Sequence, residues 1–303
     1  MHILNAAQVR ERLPYAALVG ALREMLQRMR DGAASAPQRS VVALPNGGTL
    51  LLMPATDDTL AITKFVTVHP QNRDQPPVQA DVLVFDARTG ERLMLLDGEV
   101  ITGRRTAALS VLAAQMLAPA NHGPLLLIGA GAQARVHLAA FAEIQHVQQV
   151  YIYSRTASRA AELANDARLL GLQASVIPDP ALVLDEVRLI VTATTSTEPV
   201  LPANVRSDAF IAAVGAFRPT MAELPAELVR RAYLVVDTLA GAQTEAGDLL
   251  QANVDWARVQ PLAGLLDSPP PTITQPIVFK SVGHALWDLA AVRVVLSQND
   301  GGR

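Results

Sequence analysis

The chain has 303 residues, 50% hydrophobic and 17% charged, which is enough apolar material for two packed cores. Its net charge of −3 leaves no basic footprint for nucleic acid, and the lack of cysteine excludes disulfides, a thiolate nucleophile and any Cys-ligated metal. The six histidines, at 2, 69, 122, 137, 146 and 284, lack metal-ligand spacing; no apolar run approaches the roughly 20 residues of a membrane span; and Met1 to Asn5 opens no signal segment. A soluble cytoplasmic protein with no metal is therefore expected.

In chain order, Asn5 with Gln8 three residues on forms a capping box that opens a short helix. Residues 16–30 carry apolar side chains at Leu18, Ala21, Leu22, Met25, Leu26 and Met29, the spacing of an amphipathic helix, and Gly32 follows its end. The period then changes. Residues 40–44 and 49–53 are strand-like around Pro45-Asn46-Gly47-Gly48, 60–68 is a further strand, and 82–85 and 93–96 flank a second hairpin turn at 86–90. The first hundred residues thus read as a mainly antiparallel unit. An Ala- and Leu-rich helix over 98–117 leads out of it, and 119–124 is a linker candidate.

Beyond the linker, strands at 125–128, 150–153, 173–177, 189–192, 209–213 and 233–236 alternate with helical patterns, the signature of a doubly wound parallel sheet. The segment 278–295 reads as a return to the first unit, and 299–303 as a loose tail. The fold class is α/β: a Rossmann doubly wound sheet over 119–280 and a mixed α+β domain over 1–118 and 281–303.

The run Leu125 to Ile128 enters Gly129-Ala130-Gly131-Ala132-Gln133-Ala134 and then a helix-like segment to Ile144. In that context Gly-x-Gly-x-x-Ala is a dinucleotide turn. Gly129 permits the bend, Gly131 lets backbone approach a pyrophosphate, Ala134 keeps the helix close to the sheet, and the helix N-terminus favours the phosphates. The strand at 150–153 ends in Ser154-Arg155-Thr156 with Arg159 one turn later, where NAD-specific folds place a carboxylate. Cationic and hydroxyl groups suit a 2′-phosphate, so NADP(H) is favoured over NAD(H).

Candidate anion-binding cations are Arg39, Lys64, Arg104 and Arg105. Lys64 interrupts an apolar strand and must face solvent or be paired. Arg104 and Arg105 point about 100° apart on a helix, so one faces a site and the other is solvated. Among the remaining polar groups, His69 reads as a turn residue, His284 as a candidate neighbour of the nicotinamide, and Asp237 as a helix cap. Glu245 and Asp248 read as loop ties, and Trp256 and Trp287 as core.

Several segments, taken in order, resemble the ornithine cyclodeaminase/mu-crystallin family. They are Pro37-Gln38-Arg39, Met53-Pro54-Ala55, Thr63-Lys64, His69-Pro70-Gln71-Asn72, Leu96-Asp97-Gly98 through Thr102 to Arg105-Thr106-Ala107-Ala108, Ile128 to Ala134, Ala213 to Ala216, Glu245 to Leu249, and Phe279 to Gly283. The resemblance implies a homodimer, with residues 1–118 and 281–303 forming the substrate-binding and dimerisation domain. It implies that Arg39 and Arg105 grip a substrate carboxylate, that Lys64 lies beside the reacting C–N group, and that Thr106, Ala132, Gln133, Thr194, Val214 and Gly283 lie at the cofactor.

Cyclodeaminase-like and alanine dehydrogenase-like members carry an Asp where this chain has Phe217, and cyclodeaminases a Glu where it has Leu51. Phe217-Arg218-Pro219 is closer to the cyclic ketimine reductase branch. The expected activity is reduction of Δ1-pyrroline-2-carboxylate or Δ1-piperideine-2-carboxylate to L-proline or L-pipecolate. Lys64 is the proton-donor candidate, Phe217 covers the ring, and no acidic partner stands at the site. The alternatives are an ornithine cyclodeaminase or amino-acid dehydrogenase of the same family, or a non-catalytic NADPH-binding protein.

Overall fold

A computed structural model describes residues 1–69, 71–72, 74–76, 78–119, 122–267 and 274–300. Pro70, residues 120–121 of the expected linker and 301–303 of the expected tail lie outside these. The chain divides into two compact units, Met1–Arg105 with His284–Arg303, and Thr106–Gly283.

Unit 1 opens with β1 (His2–Leu4), α1 (Ala6–Glu11) and α2 (Tyr15–Arg30). Asn5 caps α1, and the reciprocal Gln8 contact completes a capping box. Then come β2 (Ala34–Ser35), β3 (Ser40–Ala43), β4 (Thr49–Asp57), β5 (Leu60–Val68), β6 (Val78–Asp86) and β7 (Arg92–Asp97). They form one sheet in the order β1-β7-β6-β5-β4-β2, with β3 on β4. The ladders are antiparallel except β1 on β7, which is parallel. Strand β5 is central, and Lys64 stands across from Met53 on β4 and Val82 on β6. Alternation turns Ile62, Lys64 and Val66 into the core and Phe65 to the opposite face.

Helix α3 (Gly98–Leu117) starts in unit 1, and the contact boundary falls inside it, between Arg105 and Thr106, rather than at 118/119. Nothing in the local sequence marks that point, because the helix is regular across it.

Unit 2 is a parallel sheet with strands β8 (Leu125–Ile128), β9 (Gln149–Tyr153), β10 (Gln173–Val176), β11 (Leu189–Thr192), β12 (Phe210–Ala213), β13 (Tyr233–Val236), β14 (Gln260–Pro261) and β15 (Ile277–Lys280). Their order is β10-β9-β8-β11-β12-β15-β13-β14. Helices α4 (Ala132–Ile144), α5 (Ala157–Leu169), α6 (Ala226–Arg231), α7 (Leu239–Glu245) and α8 (Gly247–Gln251) connect them. Every residue of β8, β11, β12 and β15 is buried, as expected of parallel strands covered on both faces. The order reverses between β8 and β11, which opens the crevice where such folds take nucleotides.

Of the segment 278–295 expected to return to the first unit, residues 278–280 stay in the second, as the expected domain bound at 280 has it: strand 277–280 inserts between β12 and β13. The return begins at His284 with α9 (Ala285–Asp300), which packs on α2, β4 and β5. Asp57 anchors α9 by pairing with Arg293 while its other oxygen accepts N–H bonds from Thr59 and Leu60 at 2.9 Å.

Candidate active site

The core of unit 1 holds a cluster of charges. Lys64 Nζ lies 2.7 Å from Asp288 Oδ2 and donates to Thr102 Oγ1 at 3.1 Å. Arg105 Nε donates to Asp288 Oδ1 at 3.1 Å. All three charged residues are buried, with Asp288 at 0%, Lys64 at 1% and Arg105 at 4% exposure. Asp288 lies in the first turn of α9, where the helix dipole favours a carboxylate. Arg105 Nη1 is buried with no hydrogen-bond partner among the described residues. A buried guanidinium N–H left that way is costly unless a ligand meets it.

Burial pushes the Lys64 ammonium down, Asp288 pushes it back up, and Arg105 and then Arg39 push it down, leaving it lowered to about 8. Burial raises the Asp288 carboxyl, but Lys64 and Arg105 outweigh it and hold the group below the usual carboxylate range. Three expected residues therefore converge, with half-buried Arg39 close enough to act on Lys64. The expectation that no acid stands there is overturned, since Asp288 joins Lys64 to Arg105. A signal existed: Asp288 interrupts the apolar run Ala285 to Val295 as Lys64 interrupts β5. Arg104 is not solvated as expected. It donates to Leu13 O at 2.7 Å and stacks over Tyr15 at 3.8 Å.

In unit 2 a pocket lies over the ends of β8 and β11. Gly129, Gly131, Ser154, Arg155, Thr156, Arg159 and Thr194 line it. Gly129 has φ +114°, and a Cβ there would lie 2.5 Å from Ala193 O. At Gly131, the N-cap of α4, a Cβ would meet nothing within 4 Å, so the space before the helix N-terminus is open. Arg155 and Arg159 are exposed and carry no ion pair among the described residues, and no carboxylate lines the pocket. These residues fit a dinucleotide, with the exposed cations Arg155 and Arg159 in the lining.

The other expected cofactor residues are not in that lining. Ala132 and Gln133 open α4, and buried Ala134 packs it inward. Val214 follows β12, its N–H bonded to Thr192 O at 3.0 Å. Thr106 lies in α3, its carbonyl 3.2 Å from Ser110 Oγ. Ser110 also meets His137 Nε2 at 3.0 Å, and His137 Nδ1 meets Gln133 O at 2.8 Å. A carbonyl only accepts, so Nδ1 carries the proton. Burial pushes the imidazole down to about 4.

Two buried carboxylates shape the loops at these strand ends, and neither role was read from the sequence. Glu223 Oε1 accepts from Thr194 N at 2.6 Å and Thr194 Oγ1 at 2.9 Å; its Oε2 accepts from Gly215 N at 2.7 Å and Ala216 N at 3.2 Å. Asp237 is not the expected cap, which Thr238 supplies. Asp237 Oδ2 instead accepts from Ser281 Oγ at 2.7 Å, Val282 N at 3.2 Å and Gly283 N at 2.8 Å. Asp248 ties the loop as expected, accepting from Glu223 N and Leu224 N, and it pairs with Lys280 at 2.9 Å. Phe217 packs against the unit 2 core, with Arg218 5.5 Å from its ring.

Known proteins match this arrangement over its full length. The Δ1-pyrroline-2-carboxylate reductase 1 of Burkholderia multivorans is 40% identical, over 96% of this chain and 94% of that one. The Δ1-pyrroline-2-carboxylate/Δ1-piperideine-2-carboxylate reductase of Azospirillum brasilense is 41% identical, over 96% and 94%. Among solved structures, the Δ1-pyrroline-2-carboxylate reductase of Thermococcus litoralis, in complex with NADH and L-proline, superposes with a TM-score of 0.93 at 26% identity, over 99% and 98%. A family profile, the ornithine cyclodeaminase/mu-crystallin family, matches residues 1–302. With that span, both sheets and the dinucleotide turn accounted for, the chain belongs to the ornithine cyclodeaminase/mu-crystallin family.

Proposed function

We propose that this protein is an NADPH-dependent reductase of cyclic ketimines bearing a 2-carboxylate, Δ1-pyrroline-2-carboxylate and Δ1-piperideine-2-carboxylate, forming L-proline and L-pipecolate. The observation that carries the reading is the buried Lys64–Asp288–Arg105 cluster with its unpartnered Arg105 Nη1. It offers a carboxylate charge-assisted hydrogen bonds in a site shielded from water. The names of the relatives at 40% and 41% identity support the same substrate class.

In this reading Arg105 and Arg39 hold the carboxylate and so orient the imine carbon. A bound reduced nicotinamide supplies the hydride. Lys64 protonates the ring nitrogen as the C=N electron pair moves onto it. Phe217 stands where cyclodeaminase-like and alanine dehydrogenase-like members carry an Asp for the substrate amine or a water, and Asp288 is engaged by Lys64 and Arg105. Neither position then offers a free carboxylate to the second ammonium of a diamino acid, which favours a ketimine over ornithine. Arg155 and Arg159 bind the 2′-phosphate, with Ser154 and Thr156 beside them. Gly129, Gly131, Ala132, Gln133 and Ala134 form the pyrophosphate turn. Thr106, Thr194, Val214 and Gly283 position the nicotinamide half.

The reading includes a cytoplasmic homodimer. No described helix is long and apolar enough to cross a membrane. The outward face of the seven-stranded sheet carries Ile3, Val42 and Phe65, exposed at 67%, 45% and 41%, and apolar surface of this kind suits a second copy. Phe65→Asp should shift the sedimentation coefficient to that of a monomer.

The decisive experiment is steady-state turnover with both ketimines, ornithine, alanine and arginine, each with NADP(H) and NAD(H). Ketimine reduction with NADPH is expected. Ammonia release from ornithine, or oxidation of alanine or arginine in place of ketimine reduction, would replace the reading.

A further inference from the structure

We infer that Asp288 is a positioning residue of this site: it holds the Lys64 ammonium and the Arg105 guanidinium side by side, so that Lys64 keeps a proton to give and Arg105 keeps Nη1 free for the substrate carboxylate. The inference rests on the ketimine reading and adds a residue to it.

The geometry assigns each bond. Asp288 uses one oxygen for each cation, Oδ2 for Lys64 and Oδ1 for Arg105. Lys64 has three N–H donors; it donates one to Thr102 and faces Asp288 Oδ2 as an ion pair at 2.7 Å. Arg105 is gripped at Nε, on the near side of its fork, which leaves Nη1 unpartnered. One carboxylate thus orders two donors toward a third party.

Charge accounting gives the same answer. Facing Lys64 are Asp288 from α9, Arg105 and Thr102 from α3, and Arg39 from the segment before β3. Across the sheet β4 and β6 place only Met53 and Val82 beside it. Burial and both arginines favour the neutral amine, and Asp288 is the sole acid among these groups. Without it, Lys64 would have no proton to give at neutral pH.

The step balances around this carboxylate. A hydride arrives at the imine carbon, the C=N π pair moves to nitrogen, and the Lys64 N–H bond breaks as the proton follows. Lys64 becomes an amine. Asp288 stays ionised against Arg105, and the amine regains its proton from water.

The test uses a peculiarity of composition. The chain has two lysines, Lys64 and Lys280. Protein labelled with ¹³C-lysine therefore shows two Cε signals, which Lys280→Arg assigns. Lys64 should titrate near pH 8 in the wild type, and at least about one unit lower in Asp288→Asn. The basic limb of the pH–kcat profile should shift with it. Asp288→Glu keeps the charge and displaces it. There the Lys64 titration should stay within about half a unit of wild type while kcat falls about tenfold.

An unmoved Lys64 titration in Asp288→Asn overturns the inference. If that variant does not fold, Asp288→Glu decides: unchanged kcat, or a titration displaced as far as loss of the charge would displace it, overturns it equally. Wild-type protein that reduces neither ketimine would instead sink the functional reading, and the titrations would still report on Asp288 by themselves.

Discussion

Each unit buries one lysine against one aspartate, and the two pairs are used differently. In unit 1 the partners of Asp288 are side-chain cations, and the cluster ends in an unpartnered guanidinium N–H. In unit 2, Lys280 meets Asp248, which also holds two backbone N–H groups, while neighbouring Glu223 fills both oxygens with four donors from two loops. Backbone donors cannot leave, so Glu223 and Asp248 fix chain geometry. In unit 1 side chains alone meet at Asp288, and the cluster leaves a guanidinium N–H of Arg105 to offer a ligand. Buried charge alone does not separate a site from a scaffold; what the carboxylate accepts from does.

The comparison is broken most directly by Lys64→Ala. Loss of a proton donor should lower kcat about 100-fold or more, with NADPH binding by fluorescence titration unchanged. Glu223→Gln should do the reverse. An amide nitrogen facing backbone N–H groups costs about 2–4 kcal/mol, read from urea unfolding, and loosens cofactor binding through the Thr194 and Gly215 loops. If instead Glu223→Gln kept full stability and lost only kcat, the division between the two clusters would fail.

His137 sharpens it on the scaffold side. Its folded value is depressed to about 4 from 6.5, so its contribution is complete above pH 6.5 and is lost as pH falls toward 4, where the unfolded chain binds a proton the folded chain refuses. The full effect is about 3 kcal/mol. The urea midpoint should fall across that window, and His137→Gln should flatten the dependence.

Replacing both Arg155 and Arg159 by Ala should raise KM for NADPH about 10- to 100-fold and leave KM for NADH nearly unchanged. The smallest effect is expected of Arg104→Ala, about 1 kcal/mol of stability with kcat intact, since Arg104 binds the Leu13 carbonyl and the Tyr15 ring.

The pattern of legibility follows the range of each interaction. Local signals were readable. The capping box at Asn5, the strand 60–68, the helix 98–117 and the glycine turn at 129–131 all depend on neighbours a few residues away. The strand 277–280 was not, because only its place between β12 and β13 distinguishes it from the segment it leads into. Asp237 was misread for a similar reason. A carboxylate after a strand looks like a cap, and only the fold brings residues 281–283 to it.

By itself the sequence determined an α/β chain with a dinucleotide turn, because strand alternation and the needs of a tight glycine bend are written within short windows. It also marked Lys64 as needing a partner, because an unpaired ammonium has no place in an apolar strand. Only the tertiary structure decided who that partner is. Asp288 reaches Arg105 across 183 residues of sequence, and Lys64 beside it, when α9 folds back onto β5. The strength of that meeting depends on removing all three charges from water together, and no stretch of the chain read alone contains that condition.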